Sequence, residues 1–134
     1  MKRYLKGLAA VAAIAAPLAA HHSFSAEYDS KKPVTLKGVV TKVEWINPHA
    51  WIHIDVKESD GKTTSWMIEA GSPNTLFRRG VTQKSLPNGT AIVVDGYRSK
   101  DGNNKANGRD ITLADGKKLF LGGSNPDEQP NYTK

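Results

Sequence analysis

The chain has 134 residues, a length typical of one small domain, and its 19 basic and 13 acidic side chains give a formal net charge of +6. It contains no cysteine, which excludes a disulfide framework, a thiolate metal site, an iron–sulfur cluster and a cysteine nucleophile. Any chemistry must therefore depend on histidine, on carboxylates or on backbone groups.

The first twenty residues have the pattern of a secretory signal peptide. Lys2, Arg3 and Lys6 form a basic start, and an uninterrupted apolar run follows at residues 8–20. This run is shorter than the ~20 residues that a membrane-spanning helix needs. We expect a periplasmic or secreted protein with no transmembrane segment after cleavage. Loss of the three basic residues lowers the net charge from +6 to +3, so most of the basic character belongs to targeting.

The cleavage site decides which residue begins the mature chain. Cleavage is predicted after Ala20, which makes His21 the first residue; cleavage after Ala19 is the alternative and would leave His21 in second place. Behind the signal peptide at residues 1–20, the sequence predicts a single domain at residues 21–123 and a flexible polar tail at residues 124–134. We expect this domain to be a monomer.

Alternating apolar and polar residues predict short β-strands along the mature chain. In the second strand, Ile52 and Ile54 are expected to face the core, while Trp51 and His53 are expected to face outward. The polar stretch at residues 99–108 predicts a mobile loop. The predicted strands occupy residues 33–46, 50–57, 63–70, 91–98, 109–113 and 117–121.

One short helix is predicted after the third strand. Ser72 is a good N-cap and Pro73 suits the first helical position, so a helix is expected at residues 75–79, ended by Gly80. The order of elements predicts a mainly β fold: a small five- to six-stranded OB-like antiparallel barrel with the helix between strands 3 and 4. A sandwich of similar strand number is the alternative. Neither fold decides function, because OB-like barrels bind many ligand classes.

Four histidines are the main chemical signal. An N-terminal His21 can chelate a metal through its amine and its ring, His22 adds a second imidazole, and His49 and His53 flank the start of the second strand. Nitrogen-rich sites of this kind favour Cu(II) over zinc. Asp55 is expected to orient one of these imidazole rings without binding the metal itself. The alternative is that His49 caps a turn, that His53 bonds a backbone carbonyl, and that the pair at the start is incidental.

Aromatic residues are the second signal. Trp51 and Trp66 lie on two strands that often form the ligand platform of an OB-like barrel. The alternative places Trp45 and Trp66 in the core, with Trp51 covered by Phe24 and Tyr28 of the N-terminal segment. That packing would also bring the first two histidines towards the second strand.

Three dibasic pairs remain, Lys31-Lys32, Arg78-Arg79 and Lys117-Lys118, and such pairs are usually solvated. Arg78 and Arg79 are nevertheless candidates for a ligand or partner surface together with the two tryptophans. The sequence shows no catalytic motif, so no catalytic residue is assigned and an enzyme is the less favoured reading. No nucleic-acid partner is expected.

Several motifs together resemble a family of small exported bacterial proteins known only as a domain of unknown function. The resemblance is carried by His21-His22-Ser23-Phe24, Asn47-Pro48-His49-Ala50-Trp51, His53-Ile54-Asp55, Gly71-Ser72-Pro73-Asn74 and Gly96-Tyr97-Arg98, with Leu119-Phe120-Leu121-Gly122 near the end. It covers nearly the whole mature chain and implies an exported single domain without an established activity or cofactor.

Three functions are therefore open. The first is a periplasmic Cu(II)-binding module that uses His21, His22, His49 and His53. The second is a module that binds an envelope protein or another envelope ligand, in which the histidines are incidental. The third, an oxidative copper enzyme, would need an open coordination position on the metal and a substrate surface.

Overall fold

The structure is a computed structural model that describes residues 24–125. It is mainly β, as predicted, with six strands and two short helices. In chain order the elements are α1 (residues 24–27), β1 (Tyr28–Glu44), β2 (Trp51–Lys57), β3 (Thr63–Glu69), α2 (Pro73–Arg78), β4 (Ala91–Ser99), β5 (Lys105–Leu113) and β6 (Lys118–Phe120). The predicted signal peptide, the first two histidines and residues 126–134 of the predicted tail lie outside the described residues.

Five strands pair in a closed ring. The antiparallel order is β3-β2-β1-β4-β5-β6, and a further pairing between β3 and β5 closes the ring. With α2 between β3 and β4, this arrangement confirms the OB-like prediction. One pairing is parallel, and the sequence did not predict it: β3 and β5 run parallel from Met67↔Lys105 to Glu69↔Asn107. The chain between these two strands supplies the long crossover that a parallel pair requires.

Two strands are longer than their local sequences predict. β1 begins at Tyr28 and pairs with β4 along its first half and with β2 along its second half. β5 begins at Lys105, inside the stretch predicted as a loop, because residues 105–107 pair with both β3 and β4. Pairing with a strand on each side stabilises the extended backbone more than the weak local β-propensity disfavours it, as is usual in sheets.

The inner face of the ring holds the core. Ile52, Ile54 and Val56 of β2 are buried, which confirms the predicted alternation along this strand. Trp66 is also buried, and Trp45 packs half-buried against the same cluster. Burial of these apolar side chains is the main stabilising contribution to the fold.

Local signals in the sequence place the helix and the first hairpin. The Ser72 hydroxyl accepts a hydrogen bond from the Thr75 backbone N–H at 3.2 Å, and Pro73 takes the first position of α2, which confirms the predicted N-cap and proline. Gly61 and Gly80 have φ values of +85° and +78°, a region that glycine enters without a steric penalty.

Within residues 24–125, no helix has the length and apolar character needed to cross a membrane.

Candidate functional site

His49 lies just before β2, with one ring nitrogen already in use. Its Nδ1 is 3.1 Å from the backbone oxygen of Ala70. A carbonyl oxygen can only accept a hydrogen bond, so Nδ1 carries the proton and the neutral ring keeps its lone pair on Nε2. A histidine held through Nδ1 in this way is the common arrangement for an imidazole that binds a metal through Nε2. His49 is partly exposed and fits that role.

His53 is engaged differently. Its Nε2 is 2.8 Å from Glu44 Oε2, and the other oxygen of Glu44 accepts a hydrogen bond from Lys42 Nζ at 2.8 Å. The Lys42 ammonium and the His53 ring hold the pKa of Glu44 below its usual value. The Nε2 atom of His53 is therefore engaged with a carboxylate on the neighbouring strand, whereas His49 is held at Nδ1 by a backbone carbonyl oxygen.

The carboxylate beside His53 is Glu44 and not Asp55. Asp55 accepts a hydrogen bond from Ser65 Oγ at 2.7 Å on the other neighbouring strand. The expected pairing of an imidazole with a carboxylate exists, but it crosses from β2 to β1. Sequence reasoning missed Glu44 because the register between two strands decides which side chains meet, and local sequence does not encode that register directly.

A buried carboxylate lies next to His49. Glu69 is only 6% exposed; its Oε2 accepts a hydrogen bond from Tyr28 OH at 2.5 Å, and Asn107 Nδ2 is 3.4 Å from its Oε1. His49 Nδ1 is 3.7 Å from the same Oε1 atom. Buried charge needs such partners, so Glu69 links the start of β1 to the loop before β2. No local motif around Glu69 indicates this role.

The N-terminal aromatic residues pack at the β1–β4 edge of this cluster. Phe24 stacks on Tyr28, with ring centroids 5.8 Å apart, and meets the ring of Tyr97 edge-on at the same distance. These three residues form a separate buried cluster. The Tyr28 hydroxyl bonds Glu69, the residue that pairs with Trp51 across β2 and β3, and the expectation that Phe24 and Tyr28 cover Trp51 stays a prediction.

The predicted aromatic surface is divided between the two faces of the sheet. Trp51 is partly exposed on the outer face, whereas Trp66 is only 5% exposed and belongs to the core. The cause is the register, in which Trp66 pairs with the inward-facing Ile54. The two tryptophans therefore do not form one binding platform.

The basic residues of α2 lie away from the histidines in the chain and in their contacts. Arg78 is exposed, and Arg79 places its guanidinium carbon 4.0 Å from the centroid of the Phe120 ring. Among residues 24–125, no three histidine or acidic side chains come together in a geometry that could hold a metal ion. His21 and His22 lie outside those residues.

Stability at alkaline pH is expected to depend on Tyr28. Burial, followed by its hydrogen bond to Glu69, raises the pKa of the Tyr28 phenol well above the ordinary value of 10.0. The folded chain therefore keeps the proton at a pH where the unfolded chain loses it. The contribution to stability is complete below about pH 10 and falls as pH rises above it.

Urea unfolding between about pH 8 and about pH 11 tests this expectation. The free energy of unfolding should fall more steeply with pH in the wild type than in Tyr28→Phe, because the variant has no phenol at this position. Parallel curves for the two proteins would contradict the assignment.

Comparison with known protein families gives a match. A family model described as a family of unknown function, DUF6152, matches residues 9–108. That span contains all four histidines and both residues of the Arg78-Arg79 pair, and it ends within β5. No curated protein and no solved structure matches the chain.

Proposed function

The chain belongs to the DUF6152 family of unknown function, and we propose that it is an exported module that binds Cu(II). In this proposal the α-amine and ring of His21, the ring of His22 and Nε2 of His49 supply nitrogen ligands. The observation that carries the proposal is the hydrogen bond of His49 Nδ1 to the Ala70 carbonyl oxygen, which leaves Nε2 with a lone pair on a partly exposed ring.

The contacts of Phe24 support a site shared by the two parts of the chain. Phe24 is buried three residues after His21, and three residues span at most ~10 Å. Its ring stacks on Tyr28, and the Tyr28 hydroxyl donates to Glu69, the carboxylate next to His49. This chain of contacts supports a site shared by the N-terminal nitrogens and His49, because it links Phe24 to the carboxylate beside His49.

The donor set favours copper over other common metals. A terminal amine and imidazoles are nitrogen ligands of the kind that Cu(II) binds in tetragonal geometry, and Cu(II) binds most tightly among the first-row divalent ions. Glu69 Oε1 lies 3.7 Å from His49 Nδ1, so its negative charge stabilises an imidazole that gives electron density to a cation. Export is part of the proposal, since signal cleavage creates the amine.

Isothermal titration of the processed protein with Cu(II) tests the proposal. His49→Ala is expected to weaken binding by about tenfold or more, because one nitrogen ligand is lost. An extra residue before His21 should also weaken binding, since it moves the amine away from the ring. Affinity should fall at acid pH, because protons compete with the metal ion for the imidazole nitrogens. Intact mass of protein from the periplasm establishes which residue begins the chain.

His53→Ala is the matched control. It removes the same kind of side chain four residues further along, from β2, where the Nε2 atom of His53 is held by Glu44 of β1. We expect its affinity to stay within about twofold of the wild type. Equal affinity of wild type and His49→Ala would refute this site, as would binding that an added N-terminal residue leaves unchanged.

A further inference from the structure

A cleft between α2 and β6 gathers four positive charges. It has a volume of about 740 Å³, and its walls include Arg78, Arg79, Lys117, Lys118, Leu119 and Phe120. We call these six residues the basic cleft. Two dibasic pairs that are distant in the sequence thus face each other across one concave surface. Of the described residues that line the cleft, none is acidic.

Both walls are built from short elements with defined faces. Along β6, Lys118 and Phe120 share one face, while Leu119 between them is buried. Arg79 lies over the Phe120 ring with its guanidinium carbon 4.0 Å from the ring centroid, an interaction that joins α2 to β6. Packing against the Phe120 ring therefore determines the position of the Arg79 guanidinium group.

The charge of Lys118 is only partly balanced by its acidic neighbour. Lys118 Nζ is 3.9 Å from Asp110 Oδ1, but the other oxygen of Asp110 is 2.8 Å from Arg109 Nε. One carboxylate is thus shared between two cations. Like charges within about 10 Å repel each other at ordinary ionic strength, so a concave surface with this composition attracts anions.

We propose that the basic cleft binds a multiply charged phosphate ligand that also carries an apolar or ring portion. Arginine suits phosphate because its planar fork makes paired hydrogen bonds, and lysine adds point charges. The volume lies within the range of small-molecule sites, about 300–1,000 Å³, and exceeds what phosphate groups alone would fill. Phe120, which is partly exposed, provides apolar surface for the remainder of the ligand.

This proposal is independent of the copper site, with which it shares no residue. A phosphate ligand of this kind is either a soluble molecule or the headgroup of a phospholipid. Two probes distinguish these sources: inorganic tripolyphosphate in solution, and phosphatidylcholine vesicles prepared with and without cardiolipin, which carries two phosphates.

The first test is calorimetric titration of the whole mature protein, after signal cleavage, with tripolyphosphate. Lys117→Gln/Lys118→Gln is expected to weaken binding by about tenfold, since two of the four cations are removed. Both lysines are exposed, so this variant keeps the fold, as a thermal melt should verify. Arg78→Gln, a second variant at an exposed position, should weaken binding in the same direction.

Lys31→Gln/Lys32→Gln is the matched control, because it removes the same charge from another exposed dibasic pair, on β1. Its affinity for tripolyphosphate should stay within about twofold of the wild type, and affinity of the cleft variant for Cu(II) should be unchanged. Equal weakening by both double variants would show non-specific attraction and overturn the proposal. Failure of the wild type to bind either probe would overturn it as well.

Co-sedimentation with the vesicles then shows whether the phosphate ligand is a lipid headgroup or a soluble molecule. Binding to cardiolipin vesicles that Lys117→Gln/Lys118→Gln abolishes supports the proposal and assigns a lipid headgroup. Binding of tripolyphosphate without vesicle binding supports the cleft and assigns a soluble phosphate ligand. Vesicle binding that is equal for wild type and cleft variant, with no tripolyphosphate binding, contradicts it.

Discussion

Phe24→Ala is expected to lower the free energy of unfolding by about 3 kcal/mol, as truncation of a buried phenylalanine usually does. Phe24 is only 4% exposed and packs against the rings of Tyr28 and Tyr97. The alanine would leave a cavity between the two tyrosines and release the N-terminal segment from the sheet. Urea unfolding followed by circular dichroism measures the loss.

The control for this change is Phe77→Ala, the same substitution at a side chain that is 66% exposed on α2. Its effect should be within about 0.5 kcal/mol. Phe24→Ala should also weaken Cu(II) binding, since the proposed copper site relies on the docked N-terminal segment. If Phe24→Ala is as stable as Phe77→Ala, this docking does not exist in solution.

Gly96→Ala is expected to cost about 3 kcal/mol of stability, at the upper end of the usual range for overpacking. Gly96 lies in β4 at an irregularity of its pairing with β5, and a Cβ there would collide with the backbone oxygen of Asn107. A backbone atom in a paired strand cannot move aside without breaking ladder hydrogen bonds. The shift would also displace the side chain of Asn107, which contacts Glu69.

Gly102→Ala separates this collision from the general cost of replacing a glycine. Gly102 has a φ of +80°, and a Cβ added to it would meet no atom within 4 Å. The expected loss is about 1 kcal/mol, which reflects only the backbone conformation. Thermal melts of both variants provide the comparison, and equal losses would contradict a close approach of β4 and β5 at Gly96.

Most elements of the ring could be predicted from short-range patterns. The alternation of Ile52, Ile54 and Val56 identifies a strand with one buried face, and Ser72-Pro73 identifies a helix start, because both patterns reflect interactions within a few residues. The start of β5 could not be predicted in this way. Its first residues are polar, and they are extended because two strands pair with them.

The residues of the candidate site could likewise be predicted from the sequence only in part. The histidines and the basic pairs are visible in the sequence as residue types suited to metals and anions. Their partners are not visible, because Glu44 reaches His53 through cross-strand pairing and Glu69 meets Tyr28 across 41 residues of chain. Trp66 shows the reverse error, since its aromatic character suggested a binding surface while the register directs it inward.

The sequence by itself determined the mainly β character, the helix start, the basic charge and the lack of cysteine chemistry, since these depend on composition and on neighbouring residues. Only the tertiary structure decided the parallel closure of the ring, the tautomer of His49 and the meeting of Arg78-Arg79 with Lys117-Lys118 in one cleft. The physical reason is that such contacts join residues far apart in the chain, and packing of the whole ring selects their register.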